Sequence, residues 1–546
     1  MQEGVKIHRE LLNVLTPCCN RICLAAASVG IICLFDFADL TNHSVLLAAE
    51  RSILLSTRTA SVKESDKLVS ELNRLQKIIK TQGQPIGLNA AIREGIINNP
   101  KLSQAFSQIQ QAEWGLIKAQ RGWYPTIQLT NQTPFVGYSW NTFVSDNYAK
   151  RDQKNTGGEQ EEKGAVSKSD KVTTSSQNIT IAPGVSVNWT FLDPTRQPNI
   201  NSQSAEVQKQ KYLFFNAARG LILDIQQAYF KIQSSQQLIE DFQRIYAINR
   251  QQLEILEERQ KIGMVTILDV EQTRSQLFQQ LSQLVQYTNN YIDQTSNLAE
   301  LVNLPSKTLP IPNEEAKLYG SWQPQLDETV KNALSYREEL LSDLAAAEVA
   351  QWNAIAALKS YLPKFQLVGG GNLTGKNGYN NVPVNKDPQT SYTRTRNWAA
   401  SAGIGFTWQI FDGGIQDADA QISFARERSF QSSFKLNENQ IVQQVRSSYG
   451  KLKTSVVAYE SAQRSYKSAE IAQQAARARF DVGVGDITSV VQTIAQLSSA
   501  SQQVSTAILA YNNAIVELYR YSATWPQNTQ FEVEERIKSL RSNPNS

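Results

Sequence analysis

Cysteine and histidine stop early in this chain of 546 residues. Cys18, Cys19, Cys23 and Cys33, with His8 and His43, all precede residue 50. Beyond them there is no imidazole base, no thiol nucleophile and neither of the usual zinc-binding side chains. Charge is sparse too, at 19% of residues and a net +4, too mild to mark a nucleic-acid or acidic partner. Long apolar runs are also scarce: the mean hydropathy of −0.38 argues against a polytopic helical membrane protein. It does not exclude a β-barrel, whose strands hide their apolarity in alternation. The carboxylates and hydroxyls that remain form no catalytic motif. The expectation is no enzyme, no catalytic residue, no metal site, no cofactor and no nucleic-acid partner.

What the chain has instead is a repeat. Gly263 matches Gly483, Ile267 matches Ile487, Val270 matches Val490 and Leu277 matches Leu497, all 220 positions apart. Tyr229 and Tyr291 match Tyr449 and Tyr511 at the same offset, and Trp189 matches Trp408 at 219. Further upstream, Trp114 and Pro125 match Trp352 and Pro363 at 238, so the first copy carries about 19 extra residues between Pro125 and Trp189. That insertion reads as a longer loop. Each copy has a glycine-containing tip within helix-favouring sequence, the mark of a helical hairpin turning back on itself.

At the N-terminus, residues 22–35 form a largely apolar run after Lys6, Arg9 and Arg21. This suits a secretory signal with cleavage near Leu47-Ala48-Ala49, the competing reading being an uncleaved anchor helix. The organisation expected is therefore a signal segment at 1–49, a partly helical leader at 50–87, a first copy at 88–304, a linker at 305–326, a second copy at 327–522 and a polar, flexible tail at 523–546. Strands are expected near 126–140 and 179–192, then near 364–374 and 398–411.

The strands announce themselves by period two. From Ile179 to Phe191 the odd positions are Ile, Ile, Pro, Val, Val, Trp and Phe, while the even ones are Thr, Ala, Gly, Ser, Asn and Thr. From Trp398 to Ile410 the same greasy face recurs, opposite Ala, Ser, Gly, Gly, Thr and Gln. A half-buried strand of a soluble sandwich would alternate likewise. Three features favour lipid: Trp398 and Trp408 bracket an apolar band about 25 Å high on a tilted strand, the small polar face could not build a core, and nothing else offers the sheet an apolar partner. Trp189, Phe191, Trp398, Phe406 and Trp408 are the lipid-facing and girdle candidates. Gly369-Gly-Gly371 reads as strand, since a phosphate cradle would need a helix to follow. Four strands cannot close a barrel, and an edge open to hydrocarbon leaves unpaired backbone groups, so closure needs several subunits. The loops at 145–177 and 376–396 are polar, and the first is expected to be solvated and mobile.

Long helices follow each strand pair. Residues 202–258 span about 85 Å as helix. On the return, Leu277, Leu284, Tyr291 and Leu298 fall seven apart, as do Leu497, Val504, Tyr511 and Leu518. A sustained heptad means knobs-into-holes coiled-coil packing.

With the duplicated helix–strand–strand–helix order, the Pro125 and Pro363 strand entries, the Asp193-Pro194 and Asp412-Gly-Gly414 exits and the Val/Ile-Gly tips, residues 88–522 resemble the TolC family of outer-membrane channel proteins. The resemblance implies a mixed α/β membrane protein: a homotrimer whose twelve-stranded barrel sits in outer-membrane lipid of a Gram-negative-type bacterium. A long α-helical tunnel would continue it through the periplasm. It implies an exit duct for efflux pumps or type I secretion, docked on a periplasmic adaptor (membrane fusion protein) and, through it, an inner-membrane ABC, RND or MFS type transporter. Asp269 matches the family's first-copy tip aspartate. The paired aspartates of the second copy are here Ser489 and Gln492, so Asp486 is taken as substitute, and the constriction candidates are Asp269, Gln272, Asp486, Ser489 and Gln492. Helix capping is the alternative role for both aspartates. Ile262, Gly263, Met264, Val482, Gly483 and Val484 would dock the adaptor. The competing hypothesis is a non-conducting coiled-coil adaptor or scaffold, which explains the heptads but not the strand faces.

Overall fold

A computed structural model describes residues 61–147, 170–305, 308–384, 387–526 and 529–542. The expectations for segment 1–49 and for the centre of the first inter-strand loop lie outside these residues. The chain divides into two compact units, Met1–Ser70 and Glu71–Ser546. In the first, the described residues are helical; the second holds everything that follows.

The elements run α1 (Ser61–Gln82), β1 (Gly83–Ile86), α2 (Leu88–Asn98), α3 (Pro100–Arg121), β2 (Thr126–Asn147), β3 (Asp170–Leu192), α4 (Arg196–Lys261) and α5 (Ile267–Val302). Then come β4 (Leu309–Pro312), α6 (Leu326–Tyr336), α7 (Glu338–Lys359), β5 (Lys364–Val384), β6 (Asp387–Thr407), α8 (Ile415–Asp481), α9 (Ile487–Tyr521) and α10 (Thr529–Ser542). Two helices, two strands, a long helix and a shorter one thus occur in that order from Leu88 and again from Leu326. Pro100 splits the first helical stretch as its missing N–H requires: it opens α3, capped by the Asn99 side chain, which accepts from Lys101 N at 2.8 Å.

The long helices hold 66 and 67 residues, about 100 Å each. The heptad positions Leu277, Leu284, Tyr291 and Leu298 on α5 are buried, as are Leu497, Tyr511 and Leu518 on α9. Between helices the packing is laced with small polar contacts. Ser501 Oγ donates to the Asp241 carboxylate at 2.7 Å, and the Ser234 and Ser505 hydroxyls are 2.7 Å apart, all four residues buried.

Two stretches expected as connectors carry structure. Gly83–Ile86 in the leader pairs in parallel with Leu309–Pro312 in the linker. A Cβ at Gly83 would come within 1.9 Å of Ile311 Cδ1, so any larger residue here would require the Ile311 side chain to move. The tail is helical as α10, because Val533, Ile537 and Leu540 fall on one helical face and join the main core. Its far end is tied down by Arg541, 2.6 Å from Glu113.

The four long strands form one sheet in the order β2-β3-β5-β6, every neighbouring pair antiparallel. With 21–23 residues each they run about 70 Å, twice what a tilted crossing of a bilayer needs. They therefore extend well past the expected ends at 140, 179, 374 and 398, and residues 376–384 and 387–396 of the second polar loop are paired strand. The last strand stops at Thr407, so Trp408 stands just outside it.

Candidate functional site

Two regions carry the functional candidates: the sheet and the helical tips. On the sheet, register decides which side chains share a face. Val185 lies opposite Leu129 and Gly371, and Gly371 opposite Ala400; Trp189 lies opposite Leu367, and Leu367 opposite Ile404. In β2 the register shifts between Asn131 and Val136. This bulge reverses parity, so that even-numbered Val136 and Tyr138 share the face of odd-numbered Ile127 and Leu129. The apolar face is uncovered: Ile127, Leu129, Tyr138, Ile179, Ile181, Val185, Trp398, Ile404 and Phe406 are exposed. On the opposite face Ala182 and Gly184 are buried. Gly369, Gly370 and Gly371 pair with Ala402, Ser401 and Ala400 as ordinary sheet.

The aromatic candidates divide into two groups. At the helix-side end, Trp189, Phe191, Phe365 and Phe406 form a row across three strands, with ring centroids 6.0 to 6.4 Å apart. Trp189 Nε1 donates to Trp123 O, and Trp408 Nε1 to Tyr361 O, each at 2.9 Å. Each indole thus satisfies a carbonyl left free where α3 or α7 ends. Trp398, 75% exposed, stands at the other end of the band, opposite Leu373.

The strand exits are built alike. Asp193 accepts from the backbone and hydroxyl of Thr195 and lies 3.3 Å from Lys364. Burial pushes its pKa up, but the Thr195 hydrogen bonds and the Lys364 charge prevail and hold the carboxyl below its usual range. Asp412 likewise accepts from Gly414 N and Gln416 N at 2.9 and 3.0 Å, starting α8.

The two tips share one geometry. Gly263 and Gly483 have φ of 77° and 78°, the left-handed conformation that only glycine adopts without strain. Gly263 N donates to Gln260 O and Met264 N to Arg259 O; Gly483 N donates to Phe480 O and Val484 N to Arg479 O, all within 3.1 Å. This is the Schellman closure of a helix C-terminus. Around it Ile262, Met264, Val482 and Val484 are about 70% exposed, an unusual density of bare apolar side chains. The tips lie side by side, with the Arg259 guanidinium 4.8 Å from the Phe480 ring and Arg477 donating to Gln251 at 2.9 Å.

The constriction candidates differ in engagement. Asp269 Oδ2 accepts from Thr266 N at 2.8 Å and from the Thr266 hydroxyl at 2.7 Å, while Thr266 Oγ1 accepts from Asp269 N. This capping box is the role the sequence left open as the alternative. Asp486 is the N-cap residue of α9 but makes no side-chain cap bond. Gln272, Asp486, Ser489 and Gln492 are exposed, the last three on one helical face.

Sequence reasoning missed an ionic knot in which the buried Arg219 and Glu338 meet at 2.7 Å and the half-buried Arg520 and Glu339 meet at 2.7 Å. Its members are remote in sequence, and no spacing could have joined them. Among the described residues no helix is long and apolar enough to cross a membrane, and no group of three or more His, Cys, Asp or Glu could hold a metal ion.

Comparison with known proteins places this geometry. The chain is 26% identical over 316 residues to the outer membrane protein TolC of Escherichia coli, covering 57% of this chain and 62% of that protein. Against the TolC of Salmonella enteritidis it is 23% identical, covering 59% of this chain and 65% of the relative. The matches thus span less than two thirds of either relative. The crystal structure of the CmeC outer membrane channel of Campylobacter jejuni has the same fold, with a TM-score of 0.60 at 16% identity, covering 83% of this chain and 89% of that one. The family described as outer membrane efflux protein matches residues 91–304 and 329–524. That is well over half of the chain, and the protein belongs to this outer membrane efflux protein family.

Proposed function

We propose that three copies of the chain assemble into the exit duct of a tripartite efflux pump or type I secretion system, passively conducting substrates across the outer membrane. The observation that supports this most directly is the four-stranded sheet. Its β2 and β6 edges are bare and its apolar face is uncovered. A sheet of that kind is stable in hydrocarbon only when closed, and three copies supply twelve strands. The wall of Ile127, Leu129, Val185, Ile404 and Phe406 then meets lipid, between Trp189 and Trp408 at one boundary and Trp398 at the other. The long helices continue the duct into the periplasm. The bare tips at Ile262–Met264 and Val482–Val484 dock a periplasmic adaptor coupled to an inner-membrane ABC, RND or MFS type transporter.

At the tip end, Gln272, Ser489 and Gln492 give a polar rather than strongly acidic constriction. Asp486 is the charge free to face the pore, while Asp269 first serves its helix.

Single-channel recording of the purified protein in planar bilayers tests the duct. Discrete currents are expected, with cation selectivity weakened by Asp486→Asn. A folded protein that stays soluble without detergent and carries no current would rule the duct out.

A further inference from the structure

Where the end of α9 meets α4 and the start of α7, three arginines meet two glutamates; Arg219, Arg337 and Glu338 are buried, Arg520 and Glu339 half-buried. Arg219 Nε donates to Glu338 at 2.7 Å, and its guanidinium lies 3.8 Å from the Trp525 ring centroid. Arg520 donates to Glu339 at 2.7 Å and to Asn216. Arg337 grips Glu339 through two bonds, at 3.1 and 2.8 Å, and donates to Gln444 at 2.7 Å. Both glutamates are thus engaged, and within the direct ion pairs one positive charge is left over. Of the carboxylates nearby, Asp224, which feels Arg520, is exposed, and Asp343, beside Glu339, is engaged by Asn437 at 2.6 Å. An uncompensated charge in such a place is strongly unfavourable.

The excess coincides with a cavity. Arg219, Gln226 and Arg520 line it together with Thr524 and Trp525, and it has room for about one water-sized species. Arg219 Nη1, Gln226 Nε2 and Arg520 Nη1 are buried donors without a partner. Gln226 is 1% exposed and Arg219 6%. Thr524 Oγ1 already accepts from Ser522 at 2.9 Å, so its own proton is free to turn inward. The knot's unpartnered acceptor, Glu338 Oε2, belongs to a residue that does not line the cavity. A water accepts only two hydrogen bonds, so it would leave one of the three donors unpaired and would carry no charge. A halide accepts from all of them and carries the missing charge.

We propose that this cavity binds a single small monovalent anion, chloride under ordinary conditions, which neutralises the knot and locks α9 onto α4 and α7. The site is independent of the duct reading and would stand if that reading failed.

The test uses the full chain in detergent. Crystals soaked in sodium bromide are measured at the bromine edge, and thermal unfolding is followed in chloride and in gluconate at matched ionic strength. One anomalous peak per chain contacting Arg219 and Arg520 is expected, with an unfolding midpoint that rises with chloride and saturates. Gln226→Glu supplies the anion from the protein itself, and should abolish both the peak and the chloride dependence while keeping the raised midpoint. Bromide only at other positions, equal unfolding in chloride and gluconate, or chloride dependence undiminished in Gln226→Glu would each overturn the proposal. The first two readouts need no variant, so misfolding of Gln226→Glu would not shelter it.

Discussion

Helices α4 and α8 have nearly equal lengths and matched sequences, yet one is enclosed and the other lies bare. They share one buried seam: Leu221, Ile225, Ala228, Ile232 and Ser235 on α4 correspond to Ile441, Val445, Ser448, Leu452 and Ser455 on α8. The spacing of four, three, four, three is the coiled-coil rhythm that each helix needs for its own hairpin. Beyond that seam α4 also buries Phe214, Ala218 and Phe230 in the main core, Arg219 against Glu338, and Gln233 against the carbonyls of Glu314 and Glu315. At four of the matching positions α8 has Glu438, Asn439, Gly450 and Lys453. It instead exposes Ile422, Leu436, Val457 and Ile471, all separated by multiples of seven. Opposite the last three, α4 has Asn216, Gln237 and Gln251. The comparison separates a seam that builds the hairpin from one left uncovered among the described residues.

Breaking the knot should give the largest asymmetry. Glu338→Ala leaves Arg219 buried without its carboxylate and should destabilise the protein by about 3–5 kcal/mol, read by thermal unfolding. Asn439→Ala, at the position matching Arg219, should change little. Acid should spare the knot until late. Burial opposes the charge of Glu339, but the Arg337 hydrogen bonds and the Arg520 and Arg337 charges hold its carboxyl down at about 2. A depressed carboxyl contributes its full stability above the unfolded value, 4.5, and loses it progressively as pH falls from there to about 2. Unfolding that follows a midpoint near 4.5 at this site would contradict the paired geometry.

The bare seam of α8 should matter next. Leu436→Glu and Val457→Glu should weaken association between chains by at least about tenfold each, since a buried Leu or Val side chain contributes about 1.5–3 kcal/mol. The hairpin itself should keep its helicity. Gln237→Glu, the matched change on α4, should leave assembly intact. Sedimentation in detergent, alongside circular dichroism, reads both; equal effects on the two helices would erase the distinction.

How far these features were legible in sequence follows from the same physics. The tips were readable because left-handed backbone demands glycine, and Gly263 and Gly483 recur at one offset. The strands were readable only where one face is greasy. Their outer halves, such as Lys376 to Asn381 against Thr390 to Thr395, are largely polar on both faces and carry no period-two signal. In β2 the bulge after Asn131 reverses the alternation midway. The C-terminal helix shows only four apolar residues in a polar stretch, one of them the exposed Phe531, a pattern that acquires meaning once α2 and α3 offer a surface. The role of Asp269 was open because a carboxylate three residues after Thr266 suits a cap as well as a pore.

Replacing each tip glycine tests where the two copies agree. Gly263→Ala and Gly483→Ala force a Cβ into left-handed backbone and should each cost about 1–2 kcal/mol of local stability. Amide exchange at the tips should accelerate by similar factors in both, since nothing lies within 4 Å of either added Cβ and the penalty is purely conformational. A large difference would mean that the tips are held by unlike surroundings.

The smallest effect should be the most discriminating, because it separates two carboxylates that sequence alone makes equivalent. Asp269→Ala removes the acceptor for Thr266 N and half of the capping box, at about 1 kcal/mol. The first turn of α5 should then fray in amide exchange. Asp486→Ala removes a side chain that bonds no backbone N–H of α9. Any loss there should reflect only its charge near the positive end of the helix, about 0.3–1 kcal/mol and screened by salt. The exchange difference between the variants should therefore widen as ionic strength rises, the α5 effect persisting while the α9 effect fades. Equal fraying at high salt would assign both aspartates the same capping task and leave neither free for a pore.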